Sequence, residues 1–271
     1  MVQAAFQGER GAFSEDAALR FFGTIDTIPC KSFAAVFEAV LTGKAEFGVV
    51  PVENSQAGSI NETYDLLLSH PVTIFGEINL RINHCLVALP GATVAEIRVV
   101  YSHPQAIAQS QEFLNTLQVD IVPEYNTAGS AKRIKEEGIT SHAAIASRRA
   151  ARIYGLAVLA ADIETNPNNY TKFFVISKKE AERAQKNKTS LVFATKNVPG
   201  ALYRILGAFA TRTINLTKLE SRPSKDTPWE YVFYVDFEGH VDDASCKEAL
   251  AELRERTSFL KILGSYPRAE A

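Results

Sequence analysis

Residues 166–176 have the sequence NPNNYTKFFVI, and this stretch decides where we expect the centre of the fold. Its polar first half shows neither a helical nor an alternating pattern, whereas its apolar second half is typical of a buried strand. In α/β proteins, ligand-binding groups commonly lie where a polar loop meets the rigid end of a strand. Thr171 is the last hydroxyl before the apolar run, and Lys172 places a cation beside it. The stretch predicts a functional site around Thr171; the alternative is a surface turn that leads into a strand.

Short apolar runs alternate with amphipathic helical patterns before this stretch. Residues 33–41, for example, carry apolar side chains at i, i+3, i+4, i+7 and i+8, which is the spacing of a buried helix face. Alternation of strands and helices predicts an α/β fold with largely parallel sheets covered by helices. Residues 78–89 form a long extended pattern, typical of a segment that crosses between two lobes. The sequence therefore predicts two α/β lobes with a cleft between them.

Polar clusters follow two of the predicted strands. Glu53-Asn54-Ser55 comes after one apolar run, and Ser102-His103-Pro104 comes after another. On the helix that Pro104 begins, Gln105 and Gln109 are four residues apart and share a face. Polar groups at successive strand ends are expected to face the cleft, although Asn and Ser also suit an ordinary turn because they bond to their own backbone.

Two titratable residues in these clusters have competing interpretations. Glu53 follows the apolar Val52, so we expect it to be partly buried and to need a partner. His103 could act as a general base, but a lone histidine at a helix start is more often a cap. We favour the capping interpretation.

The N-terminal segment offers a second candidate for ligand binding. Residues 2–6 are predicted to form a buried strand, Gly8-Glu9-Arg10-Gly11 a turn, and Ser14 the N-cap of a helix. A helix N-terminus presents N–H groups and partial positive charge to an anion, and Arg10 could add a bidentate contact to a carboxylate. The alternative is a plain connection between a strand and a helix.

The C-terminal third has a pattern of its own. Its predicted elements follow the order βαββαβ, which is typical of a ferredoxin-like domain. The predicted strands are residues 191–194, 214–219, 231–237 and 259–263, and the helices are 199–209 and 244–255. Residues 178–188 are charged and have little apolar content, so they form either a linker or an exposed helical bridge. We expect one domain over residues 1–180 and a second over residues 189–268.

Composition excludes several classes of function. The chain has 29 Lys and Arg against 31 Asp and Glu, a formal net charge of −2, which favours neither nucleic acid nor an anionic membrane as a partner. Its three cysteines lack metal-ligand or redox spacing, and the N-terminus lacks the pattern of a signal peptide, so we expect a cytoplasmic protein. The sequence has no P-loop, dinucleotide-binding or zinc-protease motif, so we expect neither a cofactor nor a metal.

Taken together, these motifs resemble the prephenate dehydratase family with a C-terminal ACT regulatory domain. The resemblance runs from the Gly8–Ser14 segment to Glu220-Ser221-Arg222-Pro223 and includes the threonine signature at Thr171-Lys172-Phe173. It implies a periplasmic-binding-protein-like catalytic domain with two lobes, followed by the ferredoxin-like ACT domain. The implied activity is conversion of prephenate to phenylpyruvate, with loss of water and carbon dioxide and without a cofactor. Since no chorismate mutase segment precedes the motifs, the resemblance implies a stand-alone dehydratase.

The resemblance also assigns roles to individual residues. Thr171 corresponds to the essential threonine of the family, and the supporting catalytic positions are Asn54, Ser102, Gln105, Gln109 and Phe173. Arg10, Ser14 and Lys172 are the expected substrate-binding residues. In the ACT domain, phenylalanine is expected to bind as a feedback inhibitor between two subunits of a homodimer or homotetramer. Its implied contacts are Gly200, Ala201 and Leu202 of one chain and Asn215, Leu216 and Thr217 of the other.

Two positions depart from the family pattern. Lys172 stands where the family has arginine, and a lysine lacks the bidentate geometry that suits a carboxylate. Glu9-Arg10 stands where proline and a small residue are usual, so Arg10 could serve as a substitute cation.

The expected chemistry is assistance to a departing hydroxide. We expect the Thr171 hydroxyl to bond the leaving oxygen, and uncharged polar neighbours suit this task better than a free carboxylate, so Glu53 is assigned a structural role. Two other functions stay open. One is the same chemistry on arogenate, the aminated analogue; the other is a non-catalytic amino-acid sensor built from the two lobes and the ACT domain.

Overall fold

The computed structural model describes residues 2–223 and 231–269, and these form two compact units. One unit contains residues 2–63 and 78–173. The other contains residues 64–77, 174–223 and 231–269. Of the helices within the described ranges, none combines the length and the apolar character that a membrane crossing requires.

Strands and helices alternate through the first two thirds of the chain. The elements are β1 (Gln3–Gln7), α1 (Phe13–Phe22), β2 (Asp26–Cys30), α2 (Phe33–Leu41), β3 (Phe47–Asn54), β4 (Gly58–Ser59), α3 (Asn61–Ser69), β5 (Thr73–Arg81), β6 (Cys85–Ala88), β7 (Val99–Ser102), α4 (Pro104–Gln109), α5 (Gln111–Leu114), β8 (Asp120–Pro123), α6 (Thr127–Glu137), β9 (His142–Ala146), α7 (Arg148–Tyr154), β10 (Ala157–Ala161) and β11 (Tyr170–Ser177). A short 3₁₀ turn (Val94–Glu96) precedes β7. The elements α3, β5 and β11 extend into the second unit.

Two sheets give the first unit its two lobes. The first sheet has the strand order β2-β1-β3-β11-β5, with β4 paired to β3, and β1 runs parallel to both β2 and β3. The second has the order β10-β6-β9-β7-β8, in which β7 runs parallel to β8 and β9 while β6 is antiparallel to both of its neighbours. The predicted α/β fold with two lobes is confirmed, although the second sheet is mixed.

The helix α1 begins earlier than the sequence predicts. Its N-cap is Ala12, whose carbonyl accepts the N–H groups of Glu15 and Asp16. The Glu15 carboxylate accepts the N–H of Gly11 at 2.7 Å and the hydroxyl of Thr27 at 2.8 Å. The prediction that Ser14 is the N-cap is wrong, because the Glu15 carboxylate supplies the side-chain acceptor for the loop and Ser14 lies inside the first turn.

The second unit carries the ferredoxin-like pattern. Its elements after β11 are β12 (Asn187–Ala194), α8 (Ala201–Ala210), β13 (Leu216–Pro223), β14 (Tyr231–Glu238), α9 (Ala244–Arg256) and β15 (Phe259–Pro267). They form an antiparallel sheet of order β13-β14-β12-β15, whose buried face packs against both helices. The predicted order βαββαβ is confirmed. Residues 178–186 contain no helix in the described structure, which favours the linker over the helical bridge.

The two lobes of the first unit approach each other closely at Gly11. Its φ of +88° is a backbone conformation that favours glycine, and a Cβ built there would lie 2.7 Å from the Cα of Ala150. The Ser147 hydroxyl, at the N-terminus of α7, donates to the Gly11 carbonyl at 2.7 Å. A side chain at this position would therefore be strained and would also push the lobes apart.

We expect Gly11→Ala to destabilise the protein by more than the ~1–3 kcal/mol that a left-handed conformation costs a non-glycine residue, because the clash with Ala150 adds to it. Gly138→Ala is the matched control: Gly138 also has a positive φ, of +67°, but a Cβ there meets nothing within 4 Å. Urea denaturation of both variants measures the difference. Equal losses would contradict the close approach.

Candidate active site

The side-chain amide of Asn54 lies at the centre of a buried hydrogen-bond network. Its Oδ1 accepts the backbone N–H groups of Gln56 at 3.1 Å and Ala57 at 3.0 Å. Its Nδ2 is 3.1 Å from the carbonyl oxygen of Tyr170 and 3.0 Å from Oγ1 of Thr171. Asn54 is at the end of β3, and Thr171 is near the start of β11, the next strand in the sheet.

These backbone partners fix which end of the Asn54 amide is nitrogen. Two N–H donors need an oxygen at one end, and the Tyr170 carbonyl needs a donor at the other. The two protons of the Asn54 NH₂ group face three acceptors, namely the Tyr170 carbonyl, Thr171 Oγ1 and Oδ1 of Asn169, so at least one proton is shared. Because an amide nitrogen does not accept hydrogen bonds, the contact with Thr171 Oγ1 uses a lone pair of the hydroxyl rather than its proton. Among the described residues, no other side chain bonds to Oγ1. The hydroxyl proton is thus available to a ligand.

Two further amides extend the network into the second lobe. Oδ1 of Asn169 is 2.8 Å from Nδ2 of Asn54. Nδ2 of Asn169 is 3.0 Å from Oε1 of Gln109 on α4. Gln109 in turn places its Nε2 3.3 Å from Oδ1 of Asn54. Asn54 and Asn169 are almost completely buried. The network links β3 and the loop before β11 to α4, so it holds groups from both lobes in fixed positions.

Thr171 and Asn54 line a cleft of about 400 Å³ between the two lobes of the first unit. This volume lies in the range of small-molecule sites. One group of lining residues is apolar or aromatic, and it includes Phe13, Phe33, Ile60, Ile82 and Phe173. The other group is polar, and it includes Ser14, His84, His103, Gln105, Gln109 and Thr127. Such a cavity suits a ring that carries polar substituents.

Two helix N-termini lie at the cleft. Among the described residues that line it, none is lysine or arginine, and Glu62 is the carboxylate. Phe13 and Ser14 form the first turn of α1, and Thr127 begins α6 behind its N-cap Asn126. The first N–H groups of a helix have no partner within the helix and carry partial positive charge. The cleft can therefore hold an anion without a side-chain cation.

The matches to known families cover most of the chain. The family model for prephenate dehydratase matches residues 4–181, and the model for the ACT domain matches residues 189–255. This chain belongs to the prephenate dehydratase family. The resemblance stated from the motifs is confirmed, and membership in this family makes the chain an enzyme.

Similar proteins are known in plants and bacteria. A relative from Arabidopsis thaliana, named arogenate dehydratase/prephenate dehydratase 2, chloroplastic, is 42% identical over 98% of this chain and 73% of its own length. The prephenate dehydratase of Arthrobacter aurescens, solved in complex with L-Phe, is 35% identical with a TM-score of 0.90 over 99% of this chain and 90% of its own. A structure named GqqA, described as a novel type of quorum quenching acylase, is 36% identical with a TM-score of 0.90 over 98% of both chains.

Most of the predicted site residues of this dehydratase lie together in the structure. Six of the predicted positions line the cleft: Ser14, Asn54, Gln105, Gln109, Thr171 and Phe173. Thr171 and Phe173 are two apart on β11 and therefore face the same side of the strand. Their joint placement follows from three elements, namely α1, the end of β3 and α4, that meet β11 at the cleft.

Three predicted positions lie outside the cleft. The Lys172 side chain points to the opposite side of β11, where its Nζ is 3.5 Å from Oε2 of Glu53. The Arg10 side chain is 67% exposed and lies 3.7 Å from the Glu15 carboxylate. Ser102 is fully buried and donates to the carbonyl of Ile145 at 2.8 Å, which ties β7 to β9. The expectation that Glu53 is partly buried and has a partner is confirmed.

Several residues of the site had no predicted role. Asn169 is fully buried in the network, and its position two residues before Thr171 was the available signal. His84 and the loop residues Tyr125 and Asn126 also line the cleft. Asn126 is recognisable in the sequence only as a helix cap, and His84 and Tyr125 follow no motif. Their proximity to Thr171 depends on how the two lobes meet.

His103 serves as the N-cap of α4, as favoured from the sequence. Its Nδ1 accepts the N–H of Gln105 at 3.2 Å, so this nitrogen carries no proton. Burial lowers the pKa of His103 below its usual 6.5, and protonation would also break the cap. The folded state therefore favours the neutral imidazole.

This arrangement makes folding stability depend on pH. Because the folded pKa is below the unfolded value, the unfolded chain takes up the proton first, and stability is lost as pH falls from about 6.5 towards the folded pKa. We expect His103→Asn, which keeps an N-cap acceptor but cannot titrate, to lose less unfolding free energy than the parent between pH 7 and pH 5. Denaturant titrations at both pH values measure it. An equal loss of unfolding free energy between pH 7 and pH 5 in parent and variant would refute the role of His103 in this pH dependence.

Proposed function

We propose that the chain is a carbon–oxygen lyase that converts prephenate to phenylpyruvate on the route to phenylalanine. The observation that carries the proposal is the geometry of the Thr171 hydroxyl. It accepts a hydrogen bond from the Asn54 amide in a cleft between two lobes, so its proton is available to a ligand. A hydroxyl oriented in this way is suited to donate to an oxygen that leaves with its bonding electrons.

The reaction breaks two bonds of the substrate ring. The ring carboxylate departs as carbon dioxide, its bonding electrons enter the ring, and the hydroxyl at the opposite carbon leaves with the electron pair of its C–O bond. One proton taken up overall converts the departing hydroxide to water. Thr171 donates a hydrogen bond to this oxygen while negative charge develops on it. Asn54 holds the Thr171 hydroxyl in position, and Gln109 holds Asn54. Neither amide adds a negative charge near the departing oxygen. A positioned donor of this kind contributes about 10²–10³-fold to the rate.

The remaining groups of the cleft suit the rest of the substrate. The N-terminal turns of α1 and α6 can hold the carboxylates, and the rings of Phe13 and Phe173 can hold the substrate ring. We assign contacts with the substrate to Ser14 and Gln105, and to Ser102 a supporting role through β7. Arg10 and Lys172 lie outside the cleft and pair with Glu15 and Glu53, so we propose no direct contact of either with the substrate.

We expect Thr171→Val to lower kcat by about 10²–10³-fold, because valine keeps the shape of threonine but lacks the donor. Thr171→Ser should keep most of the activity. Thr24→Val, an exposed position, is the matched control for the loss of a hydroxyl. Phenylpyruvate formation from prephenate measures all three. Parental turnover by Thr171→Val would overturn the mechanism, and a parent that forms no phenylpyruvate would overturn the function.

Arogenate is the alternative substrate, because the relative from Arabidopsis thaliana is named for both dehydratase activities. The two substrates differ in the side chain: prephenate has a keto group and arogenate an ammonium group. The ratio of kcat/KM for the two compounds decides between them. Binding of phenylalanine without turnover of either compound would favour the non-catalytic sensor.

The likeness to a structure described as a quorum quenching acylase raises a second class of reaction, hydrolysis of an amide bond. A nucleophilic threonine needs a base that accepts its proton. Within the described residues, the hydrogen bond to Thr171 Oγ1 comes from a donor, the Asn54 amide. This geometry favours the dehydratase over the acylase.

For regulation, we propose that phenylalanine inhibits by binding between the ACT domains of two or more subunits. Gly200 is the N-cap of α8, and Ala201 and Leu202 lie in its first turn, whereas Asn215 immediately precedes β13 and Leu216 and Thr217 begin it. The family resemblance implies that a bound phenylalanine contacts the first group in one subunit and the second group in another. Such a site requires the proposed homodimer or homotetramer.

We expect phenylalanine to inhibit the parent, and Asn215→Ala to weaken the inhibition at least several-fold while the uninhibited rate stays unchanged. Thr211→Ala, an exposed threonine at the C-terminus of α8, is the matched control. Rates over a range of phenylalanine concentrations test the site, and equilibrium sedimentation tests the assembly. Unchanged rates in saturating phenylalanine, or a monomer in its presence, would contradict the proposal.

The proposal also assigns a role to each of the two domains and a location in the cell. We assign catalysis to residues 1–180 and regulation to residues 189–268, supported by the family matches at 4–181 and 189–255. A reducing, cytoplasmic location fits the three free cysteines.

A further inference from the structure

His84 lies next to the catalytic network but belongs to no motif. It is 2% exposed, it lines the cleft, and its backbone N–H donates to Oε2 of Glu164 at 2.9 Å. The ring packs edge-on against Phe13, with 5.7 Å between the ring centres. Its Nε2 lies 2.9 Å from Oε1 of Gln109. His84 therefore has a fixed position and a single bonding partner for its ring in the described structure.

The identity of each amide end in the network follows from the backbone. The Asn54 amide nitrogen faces Oδ1 of Asn169 at 2.8 Å. If the Asn169 amide were turned over, two NH₂ groups would face each other across this distance, which is repulsive. Asn169 therefore presents its oxygen to Asn54 and its nitrogen to Gln109.

The same argument fixes Gln109. The Asn169 nitrogen is 3.0 Å from Oε1 of Gln109, and the Gln109 nitrogen is 3.3 Å from Oδ1 of Asn54. Turning over the Gln109 amide would bring nitrogen against nitrogen and oxygen against oxygen. Gln109 must therefore present its oxygen to His84. An amide oxygen only accepts hydrogen bonds, so His84 has to carry a proton on Nε2.

We propose that His84, protonated on Nε2, is a positioning residue that holds Gln109 and, through Gln109, the Asn54 amide that orients Thr171. The inference rests on the proposed dehydratase function for its effect on rate. The assignment of the tautomer, in contrast, rests on the hydrogen-bond geometry alone.

The environment of His84 agrees with a neutral ring. Burial lowers the pKa of His84 below 6.5, although the Gln109 bond and the Glu164 carboxylate act in the opposite direction. Its Nδ1 is buried and has no hydrogen-bond partner among the described residues. If the proton were on Nδ1, that buried donor would have no acceptor among the described residues. The lone pair of Nε2 would then face the Gln109 oxygen at 2.9 Å, which is repulsive. Both effects favour the Nε2–H tautomer.

Two variants separate the donor from the ring. His84→Phe keeps a ring beside Phe13 but removes the donor, whereas His84→Gln loses the ring but can place an amide N–H where Nε2 was. We expect His84→Phe to lower kcat by about tenfold, the usual effect of one lost hydrogen bond, with KM within about twofold of the parent. His84→Gln should recover most of the loss. The reverse order, with His84→Gln the poorer enzyme, would show that only ring packing matters and would overturn the proposal.

A double mutant tests whether His84 acts through Gln109. If it does, His84→Phe should have little further effect in a Gln109→Ala background, so the two losses should not add. Additive losses would overturn the proposed route. Thermal unfolding of each variant checks that the fold is kept.

The tautomer itself can be observed independently of activity. In ¹⁵N-labelled parent protein at pH 7, the imidazole of His84 should show a protonated Nε2 and an unprotonated Nδ1, assigned by its absence from the spectrum of His84→Gln. An Nδ1–H tautomer or a doubly protonated ring would overturn the proposal even in an active enzyme. The predicted tautomer in a protein that does not turn over prephenate would support the geometry and reject the function instead.

Discussion

The Asn54 amide can take one orientation because the backbone surrounds it with two donors at one end and an acceptor at the other. The donors are the N–H groups of Gln56 and Ala57 in the turn after β3, and the acceptor is the Tyr170 carbonyl in β11. Backbone groups cannot exchange their roles as donor and acceptor, so this orientation is imposed by the fold. The availability of the Thr171 hydroxyl proton to a ligand follows from it.

The lobes are held together by contacts outside the amide network as well as by that network. The Tyr125 hydroxyl reaches across from one lobe to the carbonyl of Lys31 in the other, and the Tyr154 hydroxyl donates to the carbonyl of Arg10. The close approach of Gly11 to α7 allows the two lobes to meet without an intervening side chain. Since the residues that line the cleft come from both lobes, their distances depend on these contacts as much as on the strands and helices that carry them.

The charge distribution explains how a protein with a net charge of −2 can hold a dianion. Cations near the cleft are already paired: Arg149 contacts Glu15 and Asp16, and Lys172 contacts Glu53. The N-terminal turns of α1 and α6 face the cleft instead. Helix ends offer N–H groups in fixed directions without a flexible charged side chain, which suits a site that has to release a neutral molecule of carbon dioxide and a monoanion.

The sequence by itself determined the elements and the motifs. The change from a polar to an apolar run within residues 166–176, the pattern βαββαβ after residue 189 and the polar clusters at Asn54 and Gln105 all reflect local rules, because the distribution of apolar residues along the chain encodes which parts of an element are buried. It also determined His103 as a cap, since a helix start defines its own donors. The tertiary structure decided which residues meet. The Lys172 side chain points away from the cleft because side chains alternate along a strand, and the Arg10 side chain lies at the surface. Ser14 is not the N-cap, because the Glu15 carboxylate accepts the N–H of Gly11 instead. His84 and Asn169 joined the site because hydrogen bonds across 25 and 60 positions of sequence, to Gln109, depend on how the lobes pack, and no local pattern encodes that distance.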